Sequence, residues 1–136
     1  MNDCRTVLLV DDDKLILRAL SRILADSGIE LLSAESVAEA LALCRTHEVA
    51  VLISDHRMPG GSGLVLLKQI KEDSPATLRV LMTGDAGTPE VGAAIAEGLI
   101  DTLLLKPWRY DEVIATVNHG LDRYQTGRDT APADRP

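Results

Sequence analysis

Five short apolar runs alternate along the chain with five longer stretches whose apolar residues recur every three or four positions. Residues 7–10, Val-Leu-Leu-Val, stop abruptly at Asp11. Four such residues are too few for a helix and rich in β-formers, so they predict a buried strand. From Lys14 to about Ser27, Ile16, Ala19, Leu20, Ile23 and Leu24 share one helical face, and Gly28 ends it. Leu31 and Leu32 sit in a second strand ending near Ala34, after which Ser36 and Glu39 have the spacing of a capping box opening a helix to about Thr46. Residues 49–54 form a third apolar run cut off by Asp55, and the turn-rich Met58-Pro59-Gly60-Gly61-Ser62-Gly63 predicts a loop. Leu64, Val65, Leu67, Ile70 and Lys71 make a third helix that ends before Pro75. Residues 79–82 give a fourth strand closing on Thr83; Thr88 then caps a helix with Pro89 in its first turn. Residues 99–105, interrupted by Asp101-Thr102, read as a fifth core strand ending at Lys106-Pro107. Val113, Ile114, Val117 and Leu121 mark a last helix from Tyr110 to about Tyr124. The polar residues 125–136 have no apolar periodicity and are expected to be a disordered tail or linker stump after a single domain, residues 1–124.

Strands alternating with helices in this way predict the α/β class, a parallel sheet wrapped by crossover helices. At 136 residues and 46% hydrophobic, the chain can bury one core without disulfide or metal staples. Phe is absent and aromatics make up 2%, so Leu, Val, Ile and Ala must fill that core. Base-stacking platforms are correspondingly scarce, which argues against binding single-stranded nucleic acid. The net charge of −7 opposes a polyphosphate partner and favours a cation, and no basic recognition helix for DNA is present. Cys4 and Cys44 fit no disulfide framework or zinc pattern and read as reduced thiols. Neither a signal peptide nor a membrane-spanning run is visible, so a soluble cytoplasmic protein without membrane contact is expected.

The polar residues that end the strands carry the chemistry. Asp11 and Asp12 follow strand one, Asp55 strand three, Thr83 strand four and Lys106 strand five. In an open parallel sheet these ends share one edge, where ligands bind at the point of strand-order reversal. Three carboxylates brought together repel one another unless a cation neutralises them or a pKa rises. An all-oxygen set without a His cluster or thiolate suits Mg²⁺ better than zinc. Such a site can serve phosphoryl transfer, with Lys106 and Thr83 offering donors to phosphoryl oxygens and one carboxylate acting as nucleophile. No Gly-rich phosphate loop is present to hold a nucleotide, so a phosphorylated protein or small phosphodonor is favoured over ATP. His47, His56 and His119 have no ligand-spaced neighbours and receive no catalytic role.

Val10-Asp11-Asp12-Asp13, the run from Ile53-Ser54-Asp55 through Met58-Pro59-Gly60 to Gly63, Met82-Thr83-Gly84 and Leu105-Lys106-Pro107-Trp108 together resemble the receiver domain of two-component response regulators over residues 6 to about 122. The resemblance implies a flavodoxin-like, doubly wound fold with five strands in the order 2-1-3-4-5 flanked by five helices. It implies that Asp55 accepts the phosphoryl group from a histidine kinase or phosphotransfer protein. Mg²⁺ is then held by Asp12, by Asp11 mainly through water, by Asp55 and by the backbone carbonyl of Arg57. Thr83 and Lys106 are implied to close on the phosphoryl group, and the Lys106-Pro107 peptide to be cis. The chain would be a switch that catalyses only its own phosphorylation and dephosphorylation, acting on an unidentified downstream output protein or domain. Its output face would be helix four, strand five and helix five, with a possible homodimer on phosphorylation.

Leu103 stands where the family places a switching aromatic, three residues before the lysine, which weakens the usual threonine–aromatic coupling. Arg57 and Asp85 flank the phosphoryl position in receivers, and a closed ion pair between them is expected to hinder attacking water. Trp108 is expected either to anchor a partner or to cover the end of strand five. Lys-Pro-Trp with Arg-Met-Pro-Gly is similar to receivers placed ahead of cyclic-dinucleotide phosphodiesterase or hydrogenase-regulator outputs. Two other classes share parts of the pattern. A small Mg²⁺-dependent aspartyl-phosphate phosphatase of haloacid-dehalogenase-like chemistry uses the same residue types, but puts its nucleophile on the first strand. A flavodoxin-like FMN carrier needs a phosphate loop where Asp11 to Asp13 would repel phosphate.

Overall fold

In the computed structural model, which describes residues 4–25 and 28–134 with side chains through Thr126, the apolar runs become five parallel strands. They are β1 (Thr6–Val10), β2 (Glu30–Ala34), β3 (Val51–Asp55), β4 (Leu78–Thr83) and β5 (Thr102–Leu105). Their order in the sheet is β2-β1-β3-β4-β5, as the family resemblance implies. The helices between and after them are α1 (Lys14–Leu24), α2 (Val37–Thr46), α3 (Gly63–Asp73), α4 (Pro89–Ala96) and α5 (Tyr110–Asp134).

Because side chains alternate across a strand, each central strand feeds two cores. Val7, Leu9, Val51, Ile53, Val80 and Met82 point to one face and pack with Leu17, Leu20 and Leu24 of α1 and Val113, Val117 and Leu121 of α5. Leu8, Val10, Leu52 and Leu81 point to the other and meet Ala40 of α2, Leu66, Leu67 and Ile70 of α3, and Val91 of α4. Both faces are covered, which is why the strands read as continuous apolar runs rather than alternating ones.

Local caps fix where the helices begin. Asp13 accepts the Leu15 N–H at 2.9 Å to start α1. Ser36 accepts the Glu39 N–H at 3.1 Å, while the Glu39 carboxylate accepts from the Glu35 N–H at 2.8 Å, one residue earlier than the simplest capping box. Thr88 caps α4, with Pro89 in its first turn.

Three segments differ from the sequence expectation. The Met58 to Gly63 loop contains a two-residue antiparallel ribbon, Arg57–Met58 against Gly61–Ser62, with Pro59-Gly60 at its turn and Gly60 at φ 81°. Proline followed by a glycine of positive φ suits the two central positions of a tight turn. β5 begins at Thr102 rather than 99, because the Leu99 N–H still bonds the Ala94 carbonyl of α4 and the Asp101 side chain turns back to cap the Arg79 N–H. α5 runs on to Asp134, past the expected end near Tyr124. No proline interrupts the chain between Pro107 and Pro132. Tyr124 is buried, and its hydroxyl donates to Glu48 at 2.8 Å, tying the helix down there. Residues 135–136 of the expected tail lie outside the described residues.

Candidate functional site

The carboxyl ends of β1, β3, β4 and β5 meet at one edge of the sheet. β1 lies between β2 and β3, so strand order reverses at the β1–β3 boundary. Asp11 and Asp12 leave β1 on one side of this point, and Asp55 ends β3 on the other. One carboxylate oxygen from each of the three lies within 4.8 Å of the others. Asp11 is 1% exposed: its Oδ1 accepts the Asp13 N–H at 2.9 Å, and its Oδ2 is buried without a hydrogen-bond partner. The Lys106 Nζ donates to Asp55 Oδ1 at 2.8 Å and stands 3.6 Å from Asp11 Oδ2, an ion-pair contact beyond hydrogen-bond length. Residues 11 and 106, ninety-five positions apart in the chain (106 − 11), therefore share one site.

Burial raises the Asp11 pKa above the usual carboxylate range, Asp55 and Asp12 add repulsion, and the Asp13 N–H and Lys106 work against the rise. Burial also disfavours the Lys106 charge, but the hydrogen bond and charge of Asp55, with help from Asp11, outweigh it and raise the lysine pKa. A buried carboxylate oxygen without a partner, in an all-oxygen cluster of three acids, fits a hard divalent cation such as Mg²⁺.

A carboxyl whose folded pKa is raised stabilises the fold fully only below its unfolded value, and loses that contribution as pH rises through the folded one. Charged Asp11 therefore weakens the metal-free fold at neutral pH. Asp11→Asn is expected to stabilise the metal-free protein by about 1 kcal/mol, on the order of 3 °C in Tm. Thermal melts of the metal-free wild type and variant measure the effect. A lower Tm in the metal-free variant would contradict the placement of a strained charge at Asp11.

Beside Asp55, the residues Asp55, His56, Arg57, Thr83, Gly84 and Asp85 bound a space of about 220 Å³. Thr83 is buried at the end of β4, where its hydroxyl accepts the Asp85 N–H at 3.1 Å and donates to the Asp85 carbonyl at 3.3 Å. The expected Arg57–Asp85 pair is not formed. Arg57 Nη2 instead reaches Glu90 Oε1 at 3.1 Å on the first turn of α4, and Asp85 Oδ1 turns inward to accept the Gly87 N–H at 2.9 Å. Asp85 thus caps its own loop, leaving the arginine to the acid beyond it. Leu103 is half-buried and packs with the core beneath α2, α3 and α4. The Lys106-Pro107 peptide is cis. Trp108 packs against the opposite core and lines a groove with Ile16, Ala19 and Ile23 of α1.

Two residues that support the edge carried only weak signals in the sequence. A Cβ on Gly63 would collide with the Asp55 carbonyl oxygen and lie 2.8 Å from Ser54 Oγ, so the start of α3 packs directly on the strand end that bears Asp55. Its sequence trace is the last glycine of the turn-rich run. His56 is buried, and its backbone bridges neighbours: the N–H donates to the Met82 carbonyl at 3.1 Å and the carbonyl accepts the Gly63 N–H at 2.8 Å.

This arrangement of fold and edge is that of a receiver. The chain belongs to the response regulator receiver domain family, whose model matches residues 7–118, and so to two-component signalling. It is 39% identical over 119 residues to the DNA-binding transcriptional regulator NtrC of Escherichia coli (strain K12), covering 88% of this chain and 25% of that protein. The chain thus spans about a quarter of the length of the curated relatives it matches. A signal receiver domain of an HD domain-containing protein from Pseudomonas fluorescens Pf-5 superposes with a TM-score of 0.88, at 32% identity and 95% coverage of each chain. The beryllofluoride-activated NtrC4 receiver domain dimer superposes at 0.79, with 28% identity over 88% of this chain and 98% of that one. Membership of this family and an Asp55 on the third strand leave the haloacid-dehalogenase-like reading without support. Among the described residues, no helix is long and apolar enough to cross a membrane.

Proposed function

We propose that this chain is a phosphorylation switch in which Asp55 accepts a phosphoryl group from a histidine kinase or phosphotransfer protein. One Asp55 oxygen forms the new bond to phosphorus as the bond to the donor imidazole nitrogen breaks, and that electron pair stays on the nitrogen. The observation that carries the reading is the Lys106 ammonium at 2.8 Å from Asp55, beside the Asp11–Asp12 cluster, with Asp55 itself bounding an open space. Asp11, Asp12, Asp55 and the Arg57 carbonyl would hold Mg²⁺. When bound, the ion supplies positive charge to the phosphoryl oxygens and the carboxylates around them.

The protein's own groups then act in sequence. Lys106 exchanges part of its bond with Asp55 for a charge-assisted bond to a phosphoryl oxygen. The Thr83 hydroxyl gives up the Asp85 carbonyl to donate to another, which loosens the loop between β4 and α4. We assign this work to residues 1–124, in the cytoplasm, with only self-phosphorylation and dephosphorylation catalysed. Output passes to a downstream domain or protein. The DNA binding named for NtrC would belong to other parts of such a regulator, since the net charge of −7 opposes a phosphate backbone here. Ile95, Leu105 and Ile114 expose apolar surface on α4, β5 and α5, and we expect phosphorylation to favour a homodimer through that face. Sedimentation that stays monomeric with and without phosphorylation would remove the dimer.

Incubation with acetyl phosphate and Mg²⁺ followed by borohydride tests the nucleophile, because reduction of an aspartyl phosphate leaves homoserine. Peptide mapping should find homoserine at position 55 alone. Conversion at another acid, or no conversion together with no release of phosphate from acetyl phosphate, would overturn the assignment.

A further inference from the structure

We propose that Arg57 exchanges partners, leaving Glu90 for the phosphoryl group on Asp55, so that phosphorylation unties the first turn of α4 from the ribbon after β3. The proposal rests on the phosphoacceptor reading. Arg57 is two residues beyond Asp55 and walls the same 220 Å³ space, yet its guanidinium is held away by Glu90 at 3.1 Å. Among the described residues, that contact is the side-chain hydrogen bond and ion pair that joins the ribbon to α4.

Three features make exchange inexpensive. Both side chains are largely exposed, 71% for Arg57 and 50% for Glu90, and an ion pair in water contributes only ~0–1 kcal/mol. Glu90 occupies the first turn of α4, where the helix N-terminus favours a carboxylate whether or not arginine is present. A guanidinium offers several donors in a fixed fork, which suits two phosphoryl oxygens better than one carboxylate oxygen. The acid on the facing wall does not compete, because Asp85 Oδ1 is engaged with the Gly87 N–H. Glu90 is thus a positioning residue that acts through Arg57. The exchange gives α4 a connection to the site that does not depend on a rotating aromatic, which Leu103 cannot supply.

The test is a double-mutant cycle on the full chain. Wild type, Glu90→Gln, Arg57→Ala and the double variant are titrated with beryllofluoride, a phosphoryl mimic, at fixed Mg²⁺, and followed through the backbone amides of Gly84 at the site and Val91 in α4. Removing the competing acid should tighten binding about threefold, and Arg57→Ala should weaken it by a similar or larger factor. In the Arg57→Ala background, Glu90→Gln should change the Kd by less than about 1.5-fold, and the shift of Val91 on binding should largely disappear. Arg57→Lys should restore part of both. The Tm of all variants should match wild type, since both positions are exposed. An equal effect of Glu90→Gln with and without Arg57, or an unchanged Kd in Arg57→Ala, would overturn the exchange. Wild type that shows no beryllofluoride binding in the presence of Mg²⁺ would overturn the phosphoacceptor reading, and the exchange with it.

Discussion

Gly63→Ala is expected to destabilise the protein by about 1–3 kcal/mol and to slow phosphorylation of Asp55 on the order of tenfold or more. Helix propensity alone predicts the opposite sign, since alanine is favoured over glycine in a helix by ~1 kcal/mol and Gly63 is the first residue of α3. Contact decides the matter. The added Cβ would meet the Asp55 carbonyl oxygen, a backbone atom that cannot rotate away, and would lie 2.8 Å from Ser54 Oγ. The Gly63 N–H to His56 carbonyl bond, 2.8 Å, would have to lengthen as α3 backed off. Either the ribbon or the end of β3 must move, and both carry groups of the site. Denaturant unfolding and the rate of adduct formation from acetyl phosphate measure the two effects. An alanine variant as stable as wild type would show that α3 does not seat on the Asp55 backbone.

Arg79→Ala is expected to cost about 3–5 kcal/mol of stability, the scale for removing one partner of a buried charge pair. Arg79 stands on β4 with its side chain 5% exposed, and its guanidinium donates to four backbone carbonyls, those of Pro75, Thr77, Gly98 and Leu99. It also pairs with Asp101 at 3.5 Å, while Asp101 accepts the Arg79 N–H at 2.9 Å and forms an ion pair with Arg123 of α5 at 3.1 Å. Burial lowers the arginine pKa and the Asp101 carboxylate opposes that fall. Truncation would strand the Gly98 and Leu99 carbonyls, which link α4 to β5. Combining Arg79→Met with Asp101→Leu should recover part of the loss, because no buried charge is left unpaired, and Arg123, which loses Asp101, keeps access to water. A single Arg79→Ala variant within 1 kcal/mol of wild type, by denaturant unfolding, would contradict this role.

The features visible in the sequence are those whose signals are local or repeated. Residues such as Val7 to Val10 and Val80 to Met82 are buried on both faces of the sheet, so these central strands write themselves as apolar runs. Ser36 and Thr88 cap helices through bonds that span three residues, and spacing records them directly. Asp11, Asp12, Asp55, Thr83 and Lys106 stand out because each interrupts an apolar run at the same end of its strand.

What was not legible depends on partners far apart in the chain. Arg79 reads as an ordinary polar strand start until Asp101 and the Gly98 and Leu99 carbonyls fold over it. Family position pairs Arg57 with Asp85, and nothing in the sequence marks Glu90 as the other acid within reach. Only the turn of Asp85 toward the Gly87 N–H shows why the arginine meets the other. Gly63 carries no side chain, so its close approach to Asp55 leaves no pattern beyond a glycine-rich run. The helical backbone beyond Tyr124 likewise lacks apolar periodicity, and the Tyr124 hydroxyl ties it to Glu48, seventy-six positions away.

Intact-mass spectrometry of wild type and Asp55→Asn, after incubation with acetyl phosphate with and without Mg²⁺, tests the phosphoacceptor role most directly. One phosphoryl adduct per chain, present only with Mg²⁺ and absent from Asp55→Asn, is the predicted result. An adduct that persists in Asp55→Asn, or a wild type that neither gains an adduct nor releases phosphate from acetyl phosphate, would contradict it.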